Sequence, residues 1–387
     1  MTERTAQVRE HLCRDLIPFW RSLRDDERGG YVSLVRDDLS RDPLAERGCI
    51  LHSRILWFFS TAAMTLGDPT LLEDADHAYR ALRSMLDPVN GGVFWSVHAD
   101  GTVCDPTKHT YNQAFAVYAL SAYARASGKR EPLDLAFSLF ELIEEKCRDE
   151  GGYLEAQTAD WRPADNEKLS ENGVEAGRTM NTLLHVMEGY TGLYEAGGDP
   201  RVREALYAIM DTLAEKIWNP EKRRQEVFFD ADWHTLIDLH SFGHDIETSW
   251  LADHTLTVLG DEALTARIRP MLQAMAEETL RLAWTPGNGF AAEMERGKVD
   301  TTRVWWVQAE ALLGFLRAWE RSGEERFLAA ARDQWDYIRG RVIDPRCGEW
   351  HWSLTEAGQS TGKPFVEPWK CPYHNGRMCF EVLKRLG

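Results

Sequence analysis

The sequence predicts an all-α fold: an (α/α)6 barrel of six helical hairpins with short β-hairpins at the pocket mouth, forming a single domain over residues 1–387. Three observations predict it. A Gly-rich turn followed by a short aromatic strand recurs along the chain. A strongly apolar helical segment follows each turn, and an amphipathic one follows each apolar one.

The turns read Gly29-Gly30-Tyr31, Gly91-Gly92-Val93-Phe94-Trp95, Gly151-Gly152-Tyr153, Gly287-Asn288-Gly289-Phe290 and Gly348-Glu349-Trp350, with a degenerate copy at Val227-Phe228-Phe229. Their spacing is about 60 residues, stretched to about 75 around the fourth copy. The apolar segments begin near His52, His109, Met180, Gly243, Val304 and His374. The first five run into Gly67-Asp68, Ser127-Gly128, Gly197-Gly198-Asp199, Gly260-Asp261 and Ser322-Gly323, and Gly just past a helix end is a C-cap signal. Ile55-Leu56-Trp57-Phe58-Phe59 and Ala62-Ala63 are apolar nearly all round, as in a helix buried on most sides. The amphipathic segments are half-exposed: Leu135, Leu139, Leu142 and Ile143 share a face, with acidic residues on the others. Val8, Leu12, Leu16 and Phe19 supply the matching outer helix of the first unit. An open solenoid needs polar capping repeats, and the last helix shows none, so a closed ring is expected. Its short strands then gather at the mouth where the inner helices start.

The net charge of −17 argues against nucleic acid and anionic membrane surfaces, which select basic patches, and points to a neutral small molecule as partner. The N-terminal residues lack the apolar region of a signal peptide, and no apolar run reaches the roughly 20 residues that span a bilayer. Seven cysteines without a CxxC pair read as reduced thiols, so a cytoplasmic protein is expected, a monomer or weak homodimer. GxGxxG, GxxxxGK[ST], HExxH and EF-hand spacings are all absent, so neither a cofactor nor a metal is expected.

If the inner helices begin around one mouth, their first turns converge. These turns carry His52 and Arg54; His109, Tyr111 and Asn112; Asn181 and His185; His244 and Glu247; Trp305, Trp306, Gln308 and Glu310; and Tyr373, His374, Asn375 and Arg377, with Trp369 and Lys370 just before the last helix. Any one His or Asn there reads as a cap or a satisfied core group, but six clusters at equivalent positions read as a ligand site. His244 and Glu247 are i,i+3, so the carboxylate is expected to orient the imidazole. Asn181 and His185 are i,i+4, and His374 and Arg377 are i,i+3 beside Pro372.

In these segments the chain resembles the N-acylglucosamine 2-epimerase superfamily, and within it the cellobiose 2-epimerases. The resemblance is carried by Leu51-His52-Ser53-Arg54-Ile55-Leu56-Trp57-Phe58, Lys108-His109-Thr110-Tyr111-Asn112, Met180-Asn181 on to His185 and Glu188, Gly243-His244-Asp245-Ile246-Glu247, Arg303 through Glu310, and Trp369 through Arg377. Phe242 stands where Tyr is expected and Thr248 where Ala is expected. The resemblance implies inversion at C2 of the reducing-end sugar of a β-1,4-linked disaccharide such as cellobiose, lactose or mannobiose. The implied catalytic set is Arg54, His185, His244, Glu247 and His374.

That chemistry suits these residue types. The ring must open before C2–H becomes acidic, one base then removes the proton, and a second acid returns it from the opposite face. Two imidazoles of matched pKa near 7 suit this exchange. Arg54 meets the developing oxyanion. Substrate contacts are expected from His109, Tyr111, Asn112, Asn181, Trp305, Trp306, Glu310, Trp369 and Arg377, with either Trp305 or Trp306 against the sugar. The rivals are a mannose isomerase or monosaccharide 2-epimerase using the same bases, and a six-hairpin glycosidase using Glu247 and Glu310.

Overall fold

The computed structural model describes residues 2–166, 168–169 and 172–387; Met1, which opens the segment read for a leader, lies outside the described residues. In chain order the principal helices are α1 (Thr2–His11), α2 (Cys49–Leu66), α3 (Leu71–Ser84), α4 (Thr110–Ser127), α5 (Glu131–Lys146), α6 (Met180–Gly197), α7 (Pro200–Thr212), α8 (Phe242–Leu259), α9 (Glu262–Leu282), α10 (Trp305–Ser322), α11 (Glu325–Tyr337) and α12 (Tyr373–Leu386). Helix α1 continues through a π-turn, Leu12–Leu16, into a short helix, Ile17–Arg21.

Even-numbered helices form the inner ring. Each packs on the next, and α12 returns to α2, so the ring is closed. Helices α2, α4, α6, α8 and α10 are 18 residues each. All five end on a left-handed glycine, Gly67, Gly128, Gly198, Gly260 and Gly323, where the sequence places its stops. Helix α2 is long and apolar enough by composition to cross a membrane, but it is buried among the other inner helices.

The strands form a second ring at the mouth. The residues just before each inner helix pair with the hairpin of the following unit. Arg47–Gly48 meets Ser96–Val97, Lys108–His109 meets Ala156–Gln157, and Arg178–Thr179 meets Phe228–Phe229. Leu239–Ser241 meets Glu293–Glu295, and Arg303–Val304 meets Ser353–Leu354. The circle closes where Val35 bridges Val366, with Val35 N donating to Val366 O at 3.0 Å.

The fourth residue of four inner helices ties that helix to its own unit's turn. Tyr31 N donates to His52 Nε2 at 3.2 Å, Val93 N to Gln113 Oε1 at 2.8 Å, Gln225 N to Asp245 Oδ1 at 3.1 Å and Phe290 N to Gln308 Oε1 at 2.9 Å. His52 and Gln308 therefore satisfy backbone groups. Between units, the indole of Trp161 donates to Asn90 O at 2.8 Å and lies so close to Gly92 that a Cβ there would meet the ring at 2.7 Å. The aromatic turn thus requires glycine at position 92, where φ is +76°.

Glu349 locks the first unit to the last. Its buried carboxylate accepts from Trp20 Nε1 at 2.6 Å, Lys370 Nζ at 2.8 Å, Asn375 Nδ2 at 2.7 Å and Trp350 N at 2.8 Å. Lys370, placed by the sequence reading among the convergent polar groups just before the last helix, is fully buried in this node. Glu349→Ala strands a buried ammonium. We expect it to cost about 3–5 kcal/mol, measured as a lowered urea midpoint, and a loss under 1 kcal/mol would refute the lock.

Candidate active site

His244 and His374 stand on the same side of the barrel, both against Trp306: ring centroids lie 4.8 Å and 5.4 Å from that indole. His244 is the third residue of α8 and His374 the second of α12. A Cβ at Gly243 would meet the Trp306 ring at 2.5 Å, so glycine beside His244 is what lets the indole fill this space. Each imidazole is held through Nδ1. Ser241 Oγ lies 2.7 Å from Nδ1 of His244, and Glu310 Oε1 lies 2.7 Å from Nδ1 of His374. Among the described residues, neither Nε2 has a hydrogen-bond partner. With Nδ1–H donated to these oxygens, each Nε2 carries its lone pair.

His185, one turn into α6, is held the same way, with Nδ1 at 3.0 Å from Glu188 Oε2. Glu188 is a site residue the sequence reading leaves without a role. Its i,i+3 spacing from His185 is the signal that finds it.

The three carboxylates converge on Arg377. Its guanidinium donates to Glu188 at 2.5 Å, to Glu247 and to Glu310 at 2.7 Å, and it faces the rings of Tyr373 at 4.3 Å and Trp250 at 4.9 Å. Tyr373 also donates to Glu188, and Trp250 Nε1 to Glu310 at 2.9 Å. Burial works against the Glu188 anion, yet Arg377 and His185 bring it down to about 2. Burial and mutual repulsion push Glu247 upward against the pull of Arg377, and burial raises Glu310 as well. The donor atoms of Glu247, Glu310 and His374 all lie within 4.8 Å of one another, a spacing that suits a metal ion. The Arg377 guanidinium already bonds both carboxylates, so a cation is built into this position from the protein itself.

Arg54 is different. It is buried and has no carboxylate partner among the described residues. Its guanidinium donates to Tyr111 Oη at 2.8 Å and lies over the rings of Phe115 at 4.2 Å and Tyr373 at 4.8 Å, and its Nε is unpaired. A desolvated cation held by aromatic faces and lacking an anion is arranged to receive negative charge from a ligand.

Several expected roles change. Glu247 does not orient His244: it bonds Arg377, and Ser241 takes that place. Residues i and i+3 share a face, but Glu247 is drawn to the guanidinium from α12. Glu310 and Arg377, expected at the substrate, instead hold His374 and the carboxylates. His109 and Asn112 are fully buried; His109 caps α4 through Tyr111 N and bonds Asn166, and Asn112 donates to Phe94 O at 3.0 Å. Both are spent on holding neighbouring segments of chain. Trp305 is buried and stacked on Trp352 at 5.9 Å, whereas Trp306 and Trp369 are half-buried, so Trp306 is the indole with an open face. Asn181 is half-buried with Oδ1 unpaired, and Tyr111 packs edge-on against Trp369 and His185.

Comparison with known proteins gives the family. Residues 29–375 match the family of N-acylglucosamine 2-epimerases (GlcNAc 2-epimerase). The chain is 47% identical to cellobiose 2-epimerase of Eubacterium cellulosolvens over 97% of each chain, and 45% identical to that of Ruminococcus albus over 98% of each. The solved cellobiose 2-epimerase of Bacillus thermoamylovorans superposes with a TM-score of 0.96 at 41% identity, covering 100% of both chains.

All three imidazoles are less basic than free histidine. Burial brings His185 to about 4, and burial together with His185 brings His244 to about 3. Burial and Arg377 lower His374 well below its ordinary value. The expectation of pKa values near 7 is therefore not met by the protein's own groups; an anion beside the rings would raise them. A base works only when deprotonated, and a lowered pKa keeps it so at lower pH. The acid limb of kcat/KM, which reports the free protein, should therefore lie below pH 6. A limb centred at 6.5 or above, with circular dichroism unchanged, would contradict this electrostatic reading.

Proposed function

We propose that this chain, which belongs to the N-acylglucosamine 2-epimerase family and is a carbohydrate epimerase, converts the reducing-end glucose of a β-1,4-linked disaccharide to mannose, and the reverse, by two-histidine proton transfer. Cellobiose, lactose and mannobiose are the substrates in view. One observation carries the reading: two imidazoles flank one indole, each anchored through Nδ1 with Nε2 unpartnered, beside a buried Arg54 that lacks an anion.

The roles follow from the geometry. The open face of Trp306 holds the apolar C–H side of the reducing-end pyranose between the histidines, and Trp369 serves the second ring. Ring opening exposes the C1 carbonyl, which acidifies C2–H. One Nε2 takes that proton, leaving an enediolate whose charge meets Arg54 and the His185–Glu188 pair. The protonated form of the other histidine delivers a proton to C2 from the opposite face. The enediolate also favours the imidazolium on either side, offsetting the low basicity that burial imposes. Glu247 and Arg377 act through the histidines, holding Glu310 and Glu188 in place. The reaction needs no metal, nucleotide, nucleic acid or membrane, and the seven free thiols suit a reducing cytoplasm. A monomer or weak homodimer suffices, since every proposed group comes from one chain.

A glycosidase reading fits less well. Glu247 and Glu310 bond the same Arg377 nitrogen, whereas hydrolysis needs two carboxylates straddling a glycosidic bond, about 5–10 Å apart.

Product chromatography after incubation with cellobiose, lactose, mannobiose, glucose and mannose tests the substrate class. A mannose-ended disaccharide is expected, and a ketose would move the reading to an isomerase. In deuterium oxide the product should gain deuterium at C2; full retention of the original hydrogen argues for an internal hydride shift. His244→Asn and His374→Asn should each lower kcat by at least about 10²-fold with modest change in KM. Wild-type turnover in either variant, with the fold intact, removes that residue from the mechanism. Exhaustive chelation should leave the rate unchanged, and loss restored by a divalent ion would mean that the Glu247–Glu310–His374 trio binds metal.

A further inference from the structure

We infer that Ser241 is the positioning residue for His244, so that the two bases are backed by unlike groups, a neutral hydroxyl behind His244 and a carboxylate behind His374. This rests on the two-histidine reading above. Ser241 is the last strand residue before α8, buried, and fixed in register opposite Glu293. It occupies the N-cap position of α8, yet its side chain makes no capping bond. Its Oγ is spent on His244 Nδ1, at 2.7 Å.

No other group competes for that nitrogen. Asp245 accepts from Gln225 and pairs with His240 Nε2 at 2.8 Å. Glu247 is held by Arg377, and Gln225 Nε2 reaches only the backbone oxygen of His244. The hydroxyl fixes the ring and directs Nε2 to the substrate. Being neutral, it does not stabilise the imidazolium as Glu310 does for His374, because bonds to an ionised acceptor are roughly twice as strong. Arg377 Nη2 lies 3.4 Å from the same His374 Nδ1 and opposes the imidazolium that Glu310 favours, so His374 is backed by a charged pair and His244 by a neutral hydroxyl.

Each base faces the C2–H of one epimer only, so early deuterium wash-in at C2 of unconverted substrate reports each base separately. The experiment uses cellobiose and its mannose-ended epimer in deuterium oxide, followed by NMR. His244→Asn identifies which epimer presents its C2–H to His244. Ser241→Ala should slow wash-in for that epimer on the order of tenfold, the rate equivalent of one hydrogen bond, and the other epimer less. Ser241→Thr should restore it, and Glu310→Gln should show the opposite preference. A merely structural role slows both epimers equally. Equal loss for both, or wild-type wash-in in Ser241→Ala, overturns the inference while leaving the two bases standing. Wild-type wash-in for both epimers in His244→Asn takes down the two-base reading and this inference with it.

Discussion

One guanidinium holds the centre of this molecule. Arg377, on the last inner helix, bonds carboxylates from α6, α8 and α10, and two of these hold His185 and His374 by their Nδ1 atoms. Three carboxylates in a buried volume repel one another, and a charge taken out of water without a partner is costly. Arg377 makes the cluster tolerable and, in doing so, sets the helix spacing on which the imidazole positions depend. It is the reason a ring of otherwise apolar helices can carry so much charge at its mouth.

Around that centre the fold isolates tasks. The hairpin ring pairs each unit with the next and closes at Val35 and Val366, which fixes the inner-helix starts relative to one another. Fourth-position side chains such as Gln113 and Gln308 bind their own turns, whereas Trp306, two places before Gln308, faces His244 and His374. The split between holding and reacting groups is therefore a matter of register within the first helical turn. Asp245 holds Gln225, while His244, the residue before it, faces Trp306.

The electrostatics of the pocket are uneven by construction. Arg377 is bonded by three carboxylates, whereas Arg54, a short distance across the same aromatic cluster of Phe115 and Tyr373, has none among the described residues. The first cation organises the carboxylates; the second is free to meet ligand charge. His185 and His374 beside it are buried while His244 is half-buried, and the low local dielectric strengthens their interaction with an anionic intermediate.

The sequence by itself determined the repeat and the helix ends and singled out the candidate site residues, because these are local: a period of about 60 residues, Gly just past five inner helices, and polar groups at the start of apolar helices. His185, His244, His374 and Arg54 needed nothing more to be singled out. Only the tertiary structure decided who holds whom. Spacing along one helix also relates Glu188 to His185, a pair the sequence reading left unmade; Glu188 holds that imidazole with one oxygen and takes Arg377 with the other. The same logic misplaced Glu247, because Arg377, 130 residues away in sequence, outcompetes His244 for its charge. Glu310 and His374 meet across 64 residues, and His109 turns inward to cap its own helix. A helical period fixes which residues share a face, whereas the partner of a buried charge is fixed by whichever opposite charge the closing of the ring brings within reach.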